Sequence, residues 1–81
     1  MAGSVMMDVA AVPGNAAAVT PSDSTVLDCV GLYVGGTGNV VVETQQGQLV
    51  TFASVPGGSW IWLQIARVRA ATSATSIVAL W

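Results

Sequence analysis

The sequence predicts an all-β fold: a small antiparallel β-sandwich or barrel of five to six short strands, with an extended N-terminal arm, assembling as a homo-oligomer. Three observations lead there. Short β-branched and aromatic segments recur between Leu32 and Leu63, separated by the glycine turns GGTG, QQG and PGG, the pattern of an antiparallel meander. Those segments are apolar on both faces, and one face is enough for a core, so the second needs other cover. Charge is also scarce. Two arginines and four carboxylates in 81 residues fall far below the ~25–35% charged surface of a freely soluble domain.

The chain divides into an apolar arm, residues 1–19, and one β domain, residues 20–81. The arm, MAGSVMMDVAAVPGNAAAV, has a Pro-Gly-Asn turn but no clean period. Disordered tails are usually polar and charged, whereas this stretch is apolar, which favours a segment lying along a neighbouring chain over the alternative, a disordered tail. Thr20–Leu27 is turn-forming: Pro21 fixes φ, and Ser22, Asp23 and Ser24 can bond nearby backbone groups.

Asp28–Val34 is the first core strand, followed by GGTGN, where glycine or asparagine can supply positive φ. Asn39–Thr44 sets Val40, Val42 and Thr44 on one face, opposite Val41 and Glu43. After Gln45-Gln46-Gly47, the segment Gln48–Val55 sets Val50 and Phe52 opposite Leu49, Thr51 and Ala53. Pro56-Gly57-Gly58 reverses the chain into Trp60–Val68. There Ile61, Leu63 and Ile65 form the core row, and Trp60, Trp62 and Gln64 the opposite one. Two adjacent same-face indoles, each able to bury ~150–250 Å², favour an interface, since tryptophan is enriched at binding hot spots; the alternative is a sandwich-core strand with both rows internal. Arg67 and Arg69 share the parity of the aliphatic row, so either a bulge flips the strand near Ala66 or the strand leaves the core there. Facing out, they are candidate donors to Asp23, Asp28 or Glu43 across a subunit boundary. Ala70–Ser76 reads as a hydroxyl-rich loop or edge strand, and Ile77–Trp81 as a last strand tied into a sheet. Trp60, Trp62, Trp81, Arg67 and Arg69 are thus the candidate contacts with other subunits or a partner.

Composition excludes several functions. A chain this short buries only about 60% of its unfolded surface, and Cys29 is its single cysteine, so no intrachain disulfide staples it. One cysteine, no histidine and scattered carboxylates leave no structural zinc site. Oligomerisation is the remaining device. Without histidine or lysine, Ser-His, Cys-His and Ser-Lys nucleophile pairs cannot form within one chain, so no enzyme and no cofactor are expected. A net charge of −2 without lysine offers no stripe for nucleic acid. No apolar run reaches the roughly 18 residues of a spanning helix. Asp8 and Pro13 interrupt any signal-peptide core. The strands are too few and too short for an outer-membrane barrel of at least about eight.

The core with its C-terminal continuation resembles small virion proteins of tailed phages and gene transfer agents, known as head-spike base or head-decoration (cement) proteins. The resemblance is carried by a TPSD lead-in at Thr20–Asp23, LYVGGTG at Leu32–Gly38, VTF with VPGG at Val50–Phe52 and Val55–Gly58, Arg67-Val68, and TSATSIVALW at Thr72–Trp81. It spans roughly residues 20–81, and it is the order and spacing of these pieces that is specific. Trp60 and Trp62 depart from the smaller residues usual after the VP-x-G turn. The resemblance implies a trimer or pentamer on the outer surface of a phage-like capsid, in the virion. It would contact the major capsid protein and, as a spike base, a spike fibre. Alternatives from the residues are a tail-associated structural protein, or a carbohydrate- or peptide-binding module stacking ligands on its tryptophans.

Overall fold

A computed structural model describes residues 12–81. Its strands are β1 (Ala16–Ala18), β2 (Cys29–Gly36), β3 (Gly38–Thr44), β4 (Leu49–Val55), β5 (Ser59–Val68) and β6 (Thr75–Leu80). They form one open antiparallel sheet in the order β1-β6-β2-β5-β3-β4, with no helix among the described residues. The all-β antiparallel expectation holds, and the five long strands fall within a few residues of where alternation and turns put them.

The order is not a meander. Of consecutive long strands only β3 and β4 pair; β2–β3 and β4–β5 are joined by glycine turns yet lie apart in the sheet. The glycines explain why. Positive φ is found at Gly47 (84°) and Gly58 (87°), not in GGTG. Instead, a Cβ on Gly38 would lie 2.5 Å from the Ala74 nitrogen, and one on Gly57 would lie 2.7 Å from the Gly35 carbonyl oxygen. These residues let backbone press on backbone where the chain bends from one part of the sheet to another.

Leu32 and Val34 of β2, Val40 and Val42 of β3, and Ile65 and Val68 of β5 are fully buried, with Ile77 and Ala79 of β6 against them. Each such aliphatic side chain contributes ~1.5–3 kcal/mol by leaving water. Cys29 is buried among them, and burial pushes its thiol pKa up. Within β5 the register passes from Thr44↔Ile65 to Glu43↔Arg67. Ala66 is therefore the extra residue of a bulge, and the bulge reverses the strand's parity. Val68 turns inward and Arg67 outward. The Ala66 carbonyl accepts a bond from the Leu27 amide at 2.7 Å.

Hydroxyls complete β3. Arg69 N–H donates to the Val41 carbonyl at 2.8 Å and Ser73 N–H to the Asn39 carbonyl at 2.9 Å. In return Thr72 Oγ1 and Ser73 Oγ accept the Val41 and Asn39 amides, each at 2.9 Å. The hydroxyl-rich stretch thus serves as a ladder partner where no strand is available. At the other edge, β1 pairs with β6 of the same chain, and Asn15 and Trp81 exchange both backbone bonds (2.7 and 3.0 Å). Of the arm expected over residues 1–19, the described part thus lies on its own subunit; residues 1–11 lie outside the described residues.

Candidate functional site

Alternation along β2 and β5 builds the site. With Leu32 and Val34 in the core, Gly31 and Tyr33 must face the other way. In β5 the inward row is Ile61, Leu63 and Ile65, which sends Trp60 and Trp62 outward. Pairing places Gly31 opposite Trp62 and Tyr33 opposite Trp60. The three rings then form one array. Tyr33 meets Trp60 edge to face (centroids 4.9 Å, 60°), and Trp60 stacks on Trp62 (5.8 Å, 7°). Gly31 makes room for the Trp62 ring, an aromatic covering a strand glycine.

The array continues sideways. Gly31 and Tyr33 pair with Leu80 and Val78 of β6, which pair with Ala16 and Ala18 of β1. No charged side chain is carried by β1, β2, β6 or the first half of β5. Trp60 and Trp62 nevertheless remain 54% and 61% exposed, an uncommon state for such large apolar rings on a small domain. Beside them Val12, Pro13 and Leu80 complete a groove of about 460 Å³.

Of the five residues singled out from sequence, two come together here. Trp81 is exposed at the end of β6 but continues the parity of Ile77 and Ala79, away from the other indoles. Arg67 and Arg69 sit past the bulge, and the carboxylates they find are on the same chain. Arg67 Nη1 and Arg69 Nη1 both reach Glu43 Oε1 (3.1 and 3.2 Å), and Arg69 Nε reaches Asp23 Oδ1 (2.9 Å). Asp23 Oδ1 also accepts the Ala70 amide at 3.0 Å. That bond and Arg69 hold the Asp23 carboxyl below its ordinary pKa, and Asp23 in turn raises that of Arg69. Both arginines are about a third exposed, so each pair adds little stability. The cluster's role is to pin the lead-in Thr20–Asp23 to the end of β5. Sequence reasoning passed over Tyr33, Gly31, Val78 and Leu80. The signal for Tyr33 was present, since it alternates with Leu32 and Val34.

Fold and face together define a small all-β protein that carries a preformed apolar surface. No family profile matches the sequence, and no curated protein does. Among solved structures, a chain in the capsid of a native GTA (gene transfer agent) particle, computed with C5 symmetry, superposes with a TM-score of 0.75 at 30% identity. The match covers 93% of this chain and 100% of that one. The protein belongs to the family of that capsid-particle chain and is a virion structural protein.

Proposed function

We propose that the chain is a decoration (cement) or spike-base protein. In this reading it is a homo-oligomer, trimer or pentamer, on the outer surface of the capsid, stabilising junctions of the major capsid protein or seating a head spike. The observation that carries the proposal is the exposed Tyr33–Trp60–Trp62 array. Its rings are already ordered against one another, so covering them costs little side-chain entropy. More than half of each indole is open. Covering roughly 100 Å² of each supplies ~2.5 kcal/mol at ~25 cal/mol/Å², and several linked subunits multiply modest contacts into firm attachment. Trp81 offers a second apolar contact, and the exposed flanks of Arg67 and Arg69 a polar rim. Of the arm 1–19, the part before Val12 is what would reach a neighbour, since Ala16–Ala18 pair within the chain.

Likeness to a capsid chain favours the head over the tail. A sugar or peptide platform is less favoured, because each indole already spends a face on its neighbour and the polar groups at hand to orient a ligand are few, the Tyr33 hydroxyl with Ser59 and Gln64. The test is co-sedimentation with emptied heads that lack the protein. The wild type binds saturably, and Trp62→Ala, with an unchanged far-UV spectrum, binds at least about tenfold more weakly. A folded wild type indifferent to heads, or a Trp62→Ala protein binding like wild type, overturns the proposal.

A further inference from the structure

Without β1, β6 would be the edge of the sheet, and its composition is that of an edge that pairs readily. Its six residues, TSIVAL, carry no charge and no proline, the devices with which proteins blunt a bare edge. Thr75, Ile77 and Val78 are β-branched, which suits them to a strand. Ile77 and Ala79 are buried in the core, while Val78 and Leu80 stand opposite Tyr33 and Gly31 on the aromatic side. The β6 of a second copy, laid antiparallel against this one, would meet no like charge. It would also join two apolar outer faces into one.

β1 covers that edge without adding to the core. Its three alanines are all exposed, and alanine is depleted in strands. Backbone bonds hold it: Asn15 and Trp81 exchange two at 2.7 and 3.0 Å, and Val19 N–H donates to the Ile77 carbonyl at 2.9 Å. With Ala16, Ala17 and Ala18 opposite Leu80, Ala79 and Val78, the cover runs from Ile77 to Trp81. Where it stops, Ser76 has a φ of 54°, which breaks the extended run that a new strand would need. The edge β1 presents in turn is blunt. It is three residues long, with Pro13 before it and Pro21 after it, and a short edge flanked by proline does not extend. Behind it the chain is tethered by Ser22 N–H on the Val68 carbonyl (2.8 Å) and by Asp23 on Arg69 and the Ala70 amide.

We propose that β1 is an edge guard. It replaces a six-residue uncharged edge with a three-residue blunted one, and so prevents β6 from pairing with the β6 of a second copy. The guard is needed whether or not the aromatic face meets a capsid.

The experiment compares full-length variants. In Asn15→Pro/Ala17→Pro both positions lose an N–H that faces β6. Asn15 bonds Trp81, and Ala17, opposite Ala79, has the same phase two residues on. In Ala18→Pro the lost N–H points to solvent, where an edge strand accepts proline. Exchange of the Trp81 amide, which donates to the Asn15 carbonyl in the wild type, reports release of β1, and sedimentation reports mass against concentration. The double-proline variant should show fast Trp81 exchange and an unchanged far-ultraviolet spectrum. Its mass should rise with concentration to at least about twice that of wild type. Ala18→Pro stays at the wild-type mass. Adding Val78→Lys to the double-proline variant sets a charge on each bared edge and returns the mass to wild type. A released β1 at the wild-type mass overturns the proposal, as does an equal rise in Ala18→Pro or a rise that Val78→Lys leaves in place. A Trp81 amide that stays protected, or a double-proline variant that no longer folds, overturns it too. In those cases β1 is held by, or needed for, something other than its edge bonds.

Discussion

Gly31→Ala probes the aromatic face through the residue that makes room for it. Gly31 lies opposite Trp62, and a Cβ there would stand 2.6 Å from both Cε3 and Cζ3 of the indole. Carbon atoms are at ease near 3.5–4.0 Å, so the ring must retreat by about an ångström. It is free to move toward solvent, but moving breaks its 5.8 Å stack on Trp60. Losing an aromatic pair costs ~0.5–1.5 kcal/mol, and a side chain forced off its rotamer costs about the same. Against this, alanine in place of a strand glycine regains ~0.5–1 kcal/mol. The balance is a destabilisation of ~0.5–2 kcal/mol.

Urea denaturation reads that loss as a lower midpoint, by roughly 0.5–2 M at the ~1 kcal/mol/M slope of a small domain. Near-ultraviolet circular dichroism reads the indole coupling directly, and its amplitude should fall. The decisive measurement is a double-mutant cycle. In a Trp62→Ala background the added methyl meets no ring, so Gly31→Ala becomes neutral or stabilising, and the two changes couple by ~1 kcal/mol or more. An equal loss in both backgrounds, or a variant as stable as wild type with its near-ultraviolet spectrum intact, refutes the packing argument.

Two other perturbations test the remaining architecture. Thr72→Val keeps the shape of the side chain but removes the hydroxyl that accepts the Val41 amide and donates to the Val41 carbonyl at 3.2 Å. With that amide left unpaired, stability should drop by ~1–3 kcal/mol in chemical denaturation, and a loss below ~0.5 kcal/mol would show that water replaces the hydroxyl freely. Asp23 is held below its ordinary pKa of 3.8 by the Ala70 amide and Arg69. Folding therefore favours its charged form, and its contribution is complete above 3.8 and fades as pH falls through the lowered value. The thermal midpoint should decline in acid below that point, and Asp23→Asn should flatten the decline; identical acid profiles would remove Asp23 from the account.

Much of the fold was legible because alternation and turns act locally. Val40, Val42 and Thr44 are buried, Leu49, Thr51 and Ala53 are exposed, and the Trp60–Trp62 row faces out, each as period two requires. What stayed hidden is long-range. Nothing local tells β2 to take β6 and β5 as neighbours rather than β3, because that choice lies in the close approaches of Gly35, Gly36 and Gly38 to residues about twenty to forty positions away. GGTG reads as a hairpin turn when only its φ preferences are considered. Ala16–Ala18 carries no strand signal at all, since alanine is depleted in strands; its pairing is imposed by the free edge of β6. The arginines' carboxylates were named from sequence, but only the bulge at Ala66 shows that one chain can bring them together.

That bulge divides β5 into two halves with separate duties. Without the extra residue, Arg67 and Arg69 would keep the parity of Ile61, Leu63 and Ile65 and point into the core, while Val68 would face water. An unpaired arginine held there costs several kcal/mol, more than a domain of this size can lose and remain folded. With the extra residue, the first half of β5 keeps an uncharged outer face bearing Trp60 and Trp62. The second half turns Arg67 outward, to meet Glu43 on β3 beside Arg69. The ions are thereby gathered at one end of the strand and kept off the aromatic face. If the indole surface meets a partner as proposed, it benefits from that separation, because a fixed charge beside it would have to be desolvated on contact. One alanine thus lets a single strand gather the ion pairs at one end and present an uncharged aromatic face at the other.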